Sequence, residues 1–358
     1  MTRFDASTLH AFIVATLQAG GSTPDEARLV ADHLVRANLT GHDSHGIGML
    51  PRYARHLAEG TLVNNRRAEV VRDAGAVLVV DGGRGYGQVI AKQALDLAIA
   101  RARALGCCQL ALRNAHHIGR IGHWAEQCAA AGMASLHMVN VVDHAPMVAT
   151  YGANEARLGT NPFCAALPDP HGAPIVLDMA TSKIAHGKAR VARNQGVEVA
   201  PDCLYDAAGQ PTRDPNVMFD DAGGALIAFG AHKGSGLAIM CELFASALTG
   251  GASIAPDNPR AGGIINNMLS VVIDPSATTT PATMAREAAA LANYVHNARA
   301  SADGPPRLPG EVERAHAEQR QRDGIPIDPA TLAELRQAAR GYGLAEAAID
   351  AHLGPAAA

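Results

Sequence analysis

The stretch AVLVVDGGRGYGQVIAKQALDLAIARA, residues 76–102, decides what kind of α/β protein this chain is. A short apolar run ends in Asp81, a glycine-rich turn follows, and an amphipathic helix comes after it. That is the strand–turn–helix order of a dinucleotide-binding unit. The spacing argues against that reading. The fingerprint places glycines at relative positions 1, 3 and 6, for the tight turn, the approach to pyrophosphate and the helix–strand packing. The glycines here are Gly82, Gly83, Gly85 and Gly87; counted from Gly83 the sixth position is Gln88, and counted from Gly82 the third is Arg84. The next apolar run, CCQLALR, leads into Arg113 and Asn114, with no acid to hold ribose hydroxyls. The turn reads as a plain strand-to-helix connection, and any dinucleotide must be held elsewhere.

The texture on either side of this stretch differs. Residues before 76 show helical spacing, with Leu9, Phe12, Ile13, Thr16 and Leu17 on one face and Val30, His33, Leu34 and Ala37 on the next. Thr23, Pro24 and Glu26 form a capping-box start for the second helix. From 76 to about 275, β-rich runs such as MASLHMVNVV, FCAALP, PIVLDMA and MLSVVID alternate irregularly with helices at 88–104, 121–131 and 234–249. The alternation is not a strict β-α-β-α repeat, so a mixed sheet is expected. Beyond 280 the chain turns helical again, with a helix near 282–300 and another that Asp328 and Pro329 open. A length of 358 residues fits two domains. The reading is a helical domain from 1–75 with 281–358, and a mixed α/β domain from 76–280.

Composition narrows the function. Thirty basic against 34 acidic residues leave a net charge of −4, which lacks the basic footprint of a nucleic-acid binder. Aromatics at 4% are too few for base-stacking platforms. None of the six cysteines forms a C-x-x-C pair and most lie in apolar runs, as in a reduced cytoplasmic protein. The N-terminus reads as a helix rather than a signal peptide, and no apolar run reaches membrane-spanning length.

Four stretches could carry chemistry. GHDSHGIGMLPRY, 41–53, packs His42, Asp43, Ser44 and His45 into a loop between helices. Loops on a rigid scaffold are where catalytic groups concentrate, and histidine passes protons near neutral pH. RNAHHIGRIGHWAEQCAAAG, 113–132, holds His116, His117 and His123, but no carboxylate or cysteine completes a familiar ligand spacing, so no metal is expected. Gly119 and Gly122 there open a helix whose free N–H groups favour an anion such as pyrophosphate. Thr160, Asn161, Thr181 and Ser182 sit where apolar runs hand over to loops, with Lys188 and Arg190 close behind. Finally, Gly234 and Gly236 open an apolar helix beside His232 and Lys233. Each stretch also has a plainer reading as capping, turn chemistry or packed core.

Taken together, the motifs DSHG with PRY, NAHHIG, GTNPF, LDMATS with GK, HKGSGLA with LTGG, and LPGE run in one order from residue 41 to 311. In that order they resemble the type-2 malate/L-lactate dehydrogenase family, which also holds ureidoglycolate, diketogulonate and sulfolactate dehydrogenases and cyclic-imine reductases. The resemblance implies a non-Rossmann nicotinamide-binding fold with a mixed sheet, a mostly helical domain built from both termini, and a homodimer. It implies cofactor contacts at Gly119, Arg120 and Ile121, and at Val176, Leu177, Asp178, Met179 and Ala180. Thr160, Thr181, His232, Lys233, Asn266, Gly310 and Glu311 complete that set. The catalytic acid/base would be His45, with Ser44 bonding the ring or the substrate, and with His116 and Asn161 facing the substrate. A hydride passing to the 2-carbon of a 2-oxo acid leaves an alkoxide that a histidinium protonates; an ordinary pKa near 6.5 suits both directions.

One position departs from the pattern. Malate-type members carry an arginine four residues after the histidine, and here that residue is Met49, while Tyr53 is kept. Arginine grips a carboxylate bidentately and methionine does not. A 2-oxo acid with an apolar or aromatic far end, such as phenylpyruvate or hydroxyphenylpyruvate, is therefore expected over oxaloacetate. Arg52, Lys188 or Arg190 would hold the shared 1-carboxylate. The expected coenzyme is NAD, with NADP the alternative. A cyclic-imine reductase on the same fold is the main rival; a metal-dependent hydrolase and a binding protein without turnover are the others.

Overall fold

The computed structural model describes residues 1–355 apart from Asp221 and Asp303. In chain order the helices are α1 Ala6–Ala19, α2 Pro24–Leu39, α3 Leu50–Ala58, α4 Gly87–Leu105, α5 Gly122–Ala130, α6 His186–Gln195, α7 His232–Ser246, α8 Pro281–His296, α9 Glu311–Asp323, α10 Pro329–Gly341 and α11 Glu346–Leu353. The main sheet has seven strands: β1 Glu69–Ala74, β2 Val77–Asp81, β3 Cys107–His116, β4 Ala134–Val142, β5 Phe163–Leu167, β6 Ile175–Met179 and β7 Ile265–Ile273. Their spatial order is β1-β2-β3-β7-β4-β5-β6. Only β2 and β3 run parallel; every other neighbouring pair is antiparallel. The mixed α/β architecture is thus the one the irregular alternation called for, and residues 76–102 supply its one parallel crossover.

The crossover works because α4 is amphipathic with small residues on its inner face. Ile90, Ala91, Ala94, Leu95, Ala98 and Ala102 are buried in the sheet core with Leu78, Val80, Leu110 and Leu112. Gly106 ends the helix in the left-handed region at φ 86°, where a side chain would be strained. Against the sheet's other half, α7 buries Ala238, Cys241, Glu242 and Ala245, and it leaves Ile239, Met240 and Leu243 exposed. Short strands between residues 148 and 227 form a separate five-stranded sheet.

The two ends of the chain share one core. Leu9, Phe12 and Leu17 of α1 and Val30 and Leu34 of α2 pack with Leu335 and Ala339 of α10 and with Ile349 and Leu353 of α11. Thr2–Phe4 also pairs antiparallel with Ile325–Ile327. Asp328 accepts from Thr331 N at 2.9 Å with Pro329 in the first turn, as its sequence position suggests. The capping box at Thr23 is only half made: Thr23 accepts from Glu26 N at 3.4 Å. The Glu26 carboxylate turns instead to Ser22 Oγ at 2.8 Å and Asn65 N at 2.7 Å, tying α2 to a later loop.

The helical reading of the chain before residue 76 needs one correction. Residues 69–74 form the edge strand β1 rather than helical chain. Val70 and Val71 are adjacent, both are exposed, and a register shift follows Val70, so no alternating pattern marks the strand. The sequence does not announce helices α6 and α9 either; α9 buries none of its residues, so it carries no apolar stripe. All six cysteines are free thiols. No helix among the described residues is long and apolar enough to cross a membrane.

Candidate active site

The histidine loop is clamped from two sides. Asn38, at the end of α2, accepts from Ile47 N at 2.7 Å and donates to Asp43 at 2.7 Å. Arg320 of α9 reaches the same Asp43 at 2.6 Å. Between these anchors the chain makes two short 3-10 turns, Asp43–His45 and Ile47–Met49. Gly46 is needed there, since a Cβ would lie 2.2 Å from Asn38 Oδ1. The start of α6 presses on the loop as well: a Cβ on Gly187 would meet the Ser44 Cβ at 2.2 Å. Ser44 and His45 are therefore held between α2, α6 and α9.

From His45 a line of polar groups runs into the protein. His45 Nδ1 lies 3.1 Å from His117 Nε2, and His117 Nδ1 lies 2.6 Å from the Tyr53 hydroxyl. The side-chain amide of Gln88 bonds that hydroxyl at 2.7 Å. Tyr53, His117 and Gln88 are buried, while His45 is part-exposed and its Nε2 makes no hydrogen bond among the described residues. Burial pushes the His45 imidazole down to about 4, helped by His42 and opposed by Asp178. His117 is likewise held well below its ordinary value, first by burial and then by His45. The expectation of an ordinary imidazole is thus corrected: His45 stays neutral well below pH 6.5.

His117, not His116, is the neighbour of His45. Adjacent residues at a strand end point to opposite sides, so His116 instead bonds His56, Nε2 to Nδ1 at 2.9 Å. Burial lowers both, His116 to about 3 and His56 to about 4. Nothing in the sequence singles out His117 or Gln88 for this line: the first belongs to a histidine cluster without metal-ligand spacing, and the second stands where the dinucleotide fingerprint needs a glycine. The structure gives the glycine turn its purpose. A Cβ on Gly87 would sit 2.1 Å from His116 O and 2.4 Å from His117 O, so only glycine lets α4 start against this backbone and bring Gln88 beneath Tyr53. Gly87→Ala is expected to lose about 1–3 kcal/mol of stability from that overlap. A thermal or urea melt checks it, and an unchanged transition would refute the close approach.

Two guanidiniums stand near the loop without partners. Among the described residues Arg52 and Arg190 make no side-chain hydrogen bond or ion pair, and the Arg190 guanidinium lies 3.3 Å from where a Gly48 Cβ would be. Burial, and then Arg190 and Arg55, lower the Arg52 guanidinium below its ordinary value, although it stays charged. Lys188 is exposed on α6. Met49 is only 6% exposed and packs in the helical core with Leu50 and Tyr53.

The residues named for a cofactor fall into two groups. Arg120, Val176, Asp178 and Gly310 line one cavity of about 190 Å³ together with Arg36, Glu126, Pro174, Glu313 and Arg314. Arg120 is 2% exposed; it pairs with Glu126, bonds Asp178 at 3.3 Å and reaches Thr40 Oγ1 at 3.1 Å. Asp178 also accepts from Gly122 N at 2.8 Å. The opening of α5 is thus already filled by the protein's own carboxylate, which corrects its reading as a vacant anion site. Gly119 holds φ 77° against the His33 ring, and Gly310 caps α9 at φ 91°. Leu177, Met179 and Ala180 are part-exposed beside Asp178.

The remaining candidates, with Asn161 among them, do not line that cavity. Ile121 is buried in the sheet core. Asn266 accepts from Ile118 N at 2.9 Å and donates to Asn140 O at 2.8 Å, tying the segment after β3 to β7 and β4. Thr181 bonds the Thr160 carbonyl through N at 3.0 Å and Oγ1 at 2.9 Å. Glu311 takes Leu308 N at 2.9 Å and pairs with His296. His232 and Lys233 are exposed at the start of α7. Asn161 is buried at φ 30°, donates to Glu242 at 2.8 Å and leaves its Oδ1 without a partner. Among the described residues no group of three or more His, Cys, Asp or Glu side chains is placed to hold a metal ion.

Residues 4–336 match the sequence profile of the malate/L-lactate dehydrogenases. The chain belongs to the malate/L-lactate dehydrogenase family. This family member is 46% identical to hydroxycarboxylate dehydrogenase B of Escherichia coli K12, over 98% of this chain and 97% of that one. It is 36% identical to a Δ1-pyrroline-2-carboxylate/Δ1-piperideine-2-carboxylate reductase of Pseudomonas syringae, over 89% and 91%. A solved E. coli structure, described as of the malate/lactate dehydrogenase kind, superposes with a TM-score of 0.95 at 45% identity and 98% coverage of both chains. The dehydrogenase is thus an enzyme with a mixed-sheet fold that its solved relatives share.

Proposed function

We propose that this enzyme interconverts a 2-hydroxy acid and a 2-oxo acid with a nicotinamide dinucleotide, and that His45 is its acid/base. The observation that carries the reading is the His45 imidazole itself: fixed at Nδ1 by buried His117, unbonded at Nε2, and neutral at pH 7. In oxidation, Nε2 takes the hydroxyl proton; in reduction, the histidinium gives it to the oxygen of the former carbonyl. The bound nicotinamide supplies the hydride exchange at C2. Arg52 and Arg190, two unpaired cations close enough to repel one another, would hold the 1-carboxylate. With no guanidinium at Met49 for a second carboxylate, the far end of the substrate is apolar or aromatic, as in phenylpyruvate and hydroxyphenylpyruvate.

The cavity beside Asp178 suits the far half of the coenzyme. Its three arginines are matched by Glu126, Asp178 and Glu313, which leaves no surplus charge for an added phosphate, so NAD is preferred over NADP. Gly310, turned to a positive φ against Val176, lets backbone approach there. Six free thiols fit a cytoplasmic protein. The exposed Ile239, Met240 and Leu243 on α7 fit an interface between two copies. Sedimentation should show a dimer, and Leu243→Glu should yield monomer; a monomeric wild type would remove the proposal.

The deciding experiment follows NADH and NADPH oxidation with phenylpyruvate, hydroxyphenylpyruvate, oxaloacetate, pyruvate, 2-oxoglutarate and Δ1-pyrroline-2-carboxylate, with chelator present. Aromatic oxo acids should turn over fastest with NADH. Arg52→Leu should raise their KM by about 10–100-fold, the loss of one charge-assisted contact. Preference for oxaloacetate would overturn the argument from Met49. Preference for the imine would favour the second reading, which the Pseudomonas syringae relative supports.

A further inference from the structure

We propose that Gln88 is a positioning residue that decides which nitrogen of His45 carries the proton, acting through Tyr53 and His117. The proposal rests on the reading of His45 as acid/base and adds a group that touches neither substrate nor coenzyme. Four side chains lie in line: Gln88 to Tyr53 at 2.7 Å, Tyr53 to His117 at 2.6 Å, and His117 to His45 at 3.1 Å. Each inner link is shared between groups that can donate or accept, so the direction of donation along the whole line is fixed at its end. Gln88 is that end, and it is the one member that cannot lose or gain a proton.

The two orientations of the amide have opposite consequences. With the NH2 on Tyr53, the phenol donates to His117 Nδ1, and His117 Nε2–H donates to His45 Nδ1. His45 then carries its proton on Nε2, with no lone pair facing the substrate, and cannot act as a base. With the amide carbonyl on Tyr53, the phenol donates to Gln88, His117 Nδ1–H donates to the phenol, and His45 Nδ1–H donates to His117. Now His45 Nε2 is free to take a proton in oxidation, or to carry the second one in reduction. Catalysis in either direction thus needs the carbonyl-to-Tyr53 orientation. The NH2-facing arrangement leaves Gln88 Oε1 buried with no partner, while Gln88 itself is 1% exposed. Amide ends are told apart by their bonding and not by shape; the far atom of Gln88 meets no partner as placed, so nothing behind the amide holds that orientation and the His45 tautomer is the readout that tells the two apart. The line is a selector rather than a wire. Its inner end holds no acid, and burial raises the Tyr53 phenol above its ordinary range.

The test uses the full-length enzyme with NAD bound and three variants. Gln88→Met removes both ends of the amide; kcat in both directions should fall about 10–100-fold, with KM for the oxo acid and coenzyme Kd within about twofold. Gln88→Glu keeps an acceptor on Tyr53 and should recover most of kcat. Nitrogen-15 NMR of the wild-type imidazoles should show His45 protonated on Nδ1, and Gln88→Met should shift that tautomer. The NMR of the wild type stands even if a variant fails to fold. Wild-type kcat in Gln88→Met, equal losses in both variants, or a His45 protonated on Nε2 in the coenzyme complex would each overturn the proposal. His45→Ala separates the two levels. If it turns over normally, the acid/base reading itself has failed; if it is inactive while Gln88→Met is normal, only the selector has.

Discussion

His45→Ala is expected to lower turnover by about 10²–10⁴-fold in both directions, the usual worth of a positioned general acid/base. Coenzyme affinity should stay near that of the wild type, because the cavity beside Asp178 does not include His45. The sharper expectation concerns pH. Oxidation releases a proton, so the ratio of the reduction and oxidation values of kcat/KM must change tenfold per pH unit whatever the enzyme does. The free-enzyme pKa of the acid/base decides which limb carries the change. With an ordinary imidazole near 6.5, oxidation would weaken below that pH. Burial and His42 instead hold His45 near 4. Sign matters here: lowering the pKa favours the neutral form, so the base stays available down to about pH 5 and the acid is scarce throughout. Oxidation kcat/KM should therefore be flat from about pH 5 to 8, while reduction kcat/KM falls about tenfold per unit over the same range. An oxidation limb that bends near 6.5 would show that the surroundings of the part-exposed His45 do not lower its imidazole, or that it is not the base.

How far the sequence could be read depended on what each residue's pattern advertised. The strands β3, β4, β5, β6 and β7 are long apolar runs and were visible; β1 is an exposed edge with adjacent valines and was not. The helix α9 buries nothing and so has no stripe to find. The glycine turn showed its spacing faults at once, and that sufficed to reject a Rossmann unit. Its actual purpose, bringing α4 against the backbone of His116 and His117, needs the three-dimensional contact of Gly87. The same holds for the histidines. The chain shows that His45, His116 and His117 exist, but which of two neighbours faces His45 depends on strand direction and on Tyr53, which is 64 residues from its partner. Charge pairing hides in the same way: nothing local says that the first turn of α5 is filled by Asp178, 56 residues on from Gly122. Burial, finally, is a property of the fold, so the lowered His45 could not be read from residue type.

The largest loss of stability is expected from Arg120→Met. Arg120 is the hub of a buried group that joins α2, α5 and β6: it contacts Thr40 at the end of α2, Glu126 on α5 and Asp178 on β6. Burial opposes its charge, but Glu126 and Asp178 more than compensate and raise the guanidinium above its ordinary value. Methionine fills a similar volume, so packing is largely kept and the change isolates the charge. It leaves Asp178, 9% exposed at its side chain, without its cation. Removing one partner of a buried pair costs about 3–5 kcal/mol, because the surviving charge is left unpaired. For a chain of this size that corresponds to a fall in Tm on the order of 10 °C. A second substitution separates charge from shape. If the orphaned carboxylate is the cause, Asp178→Asn added to Arg120→Met should recover part of the loss, since the amide needs no cation and its oxygen still accepts from Gly122 N. If the loss comes from side-chain packing, the double variant will be no more stable than the single one. Coenzyme gives the functional half of the experiment. Arg120 and Asp178 line the proposed coenzyme cavity, so added NAD should raise the Tm of the wild type and raise that of Arg120→Met much less. An equal rise in both would place the coenzyme away from Arg120, while leaving its role in holding the three elements together intact.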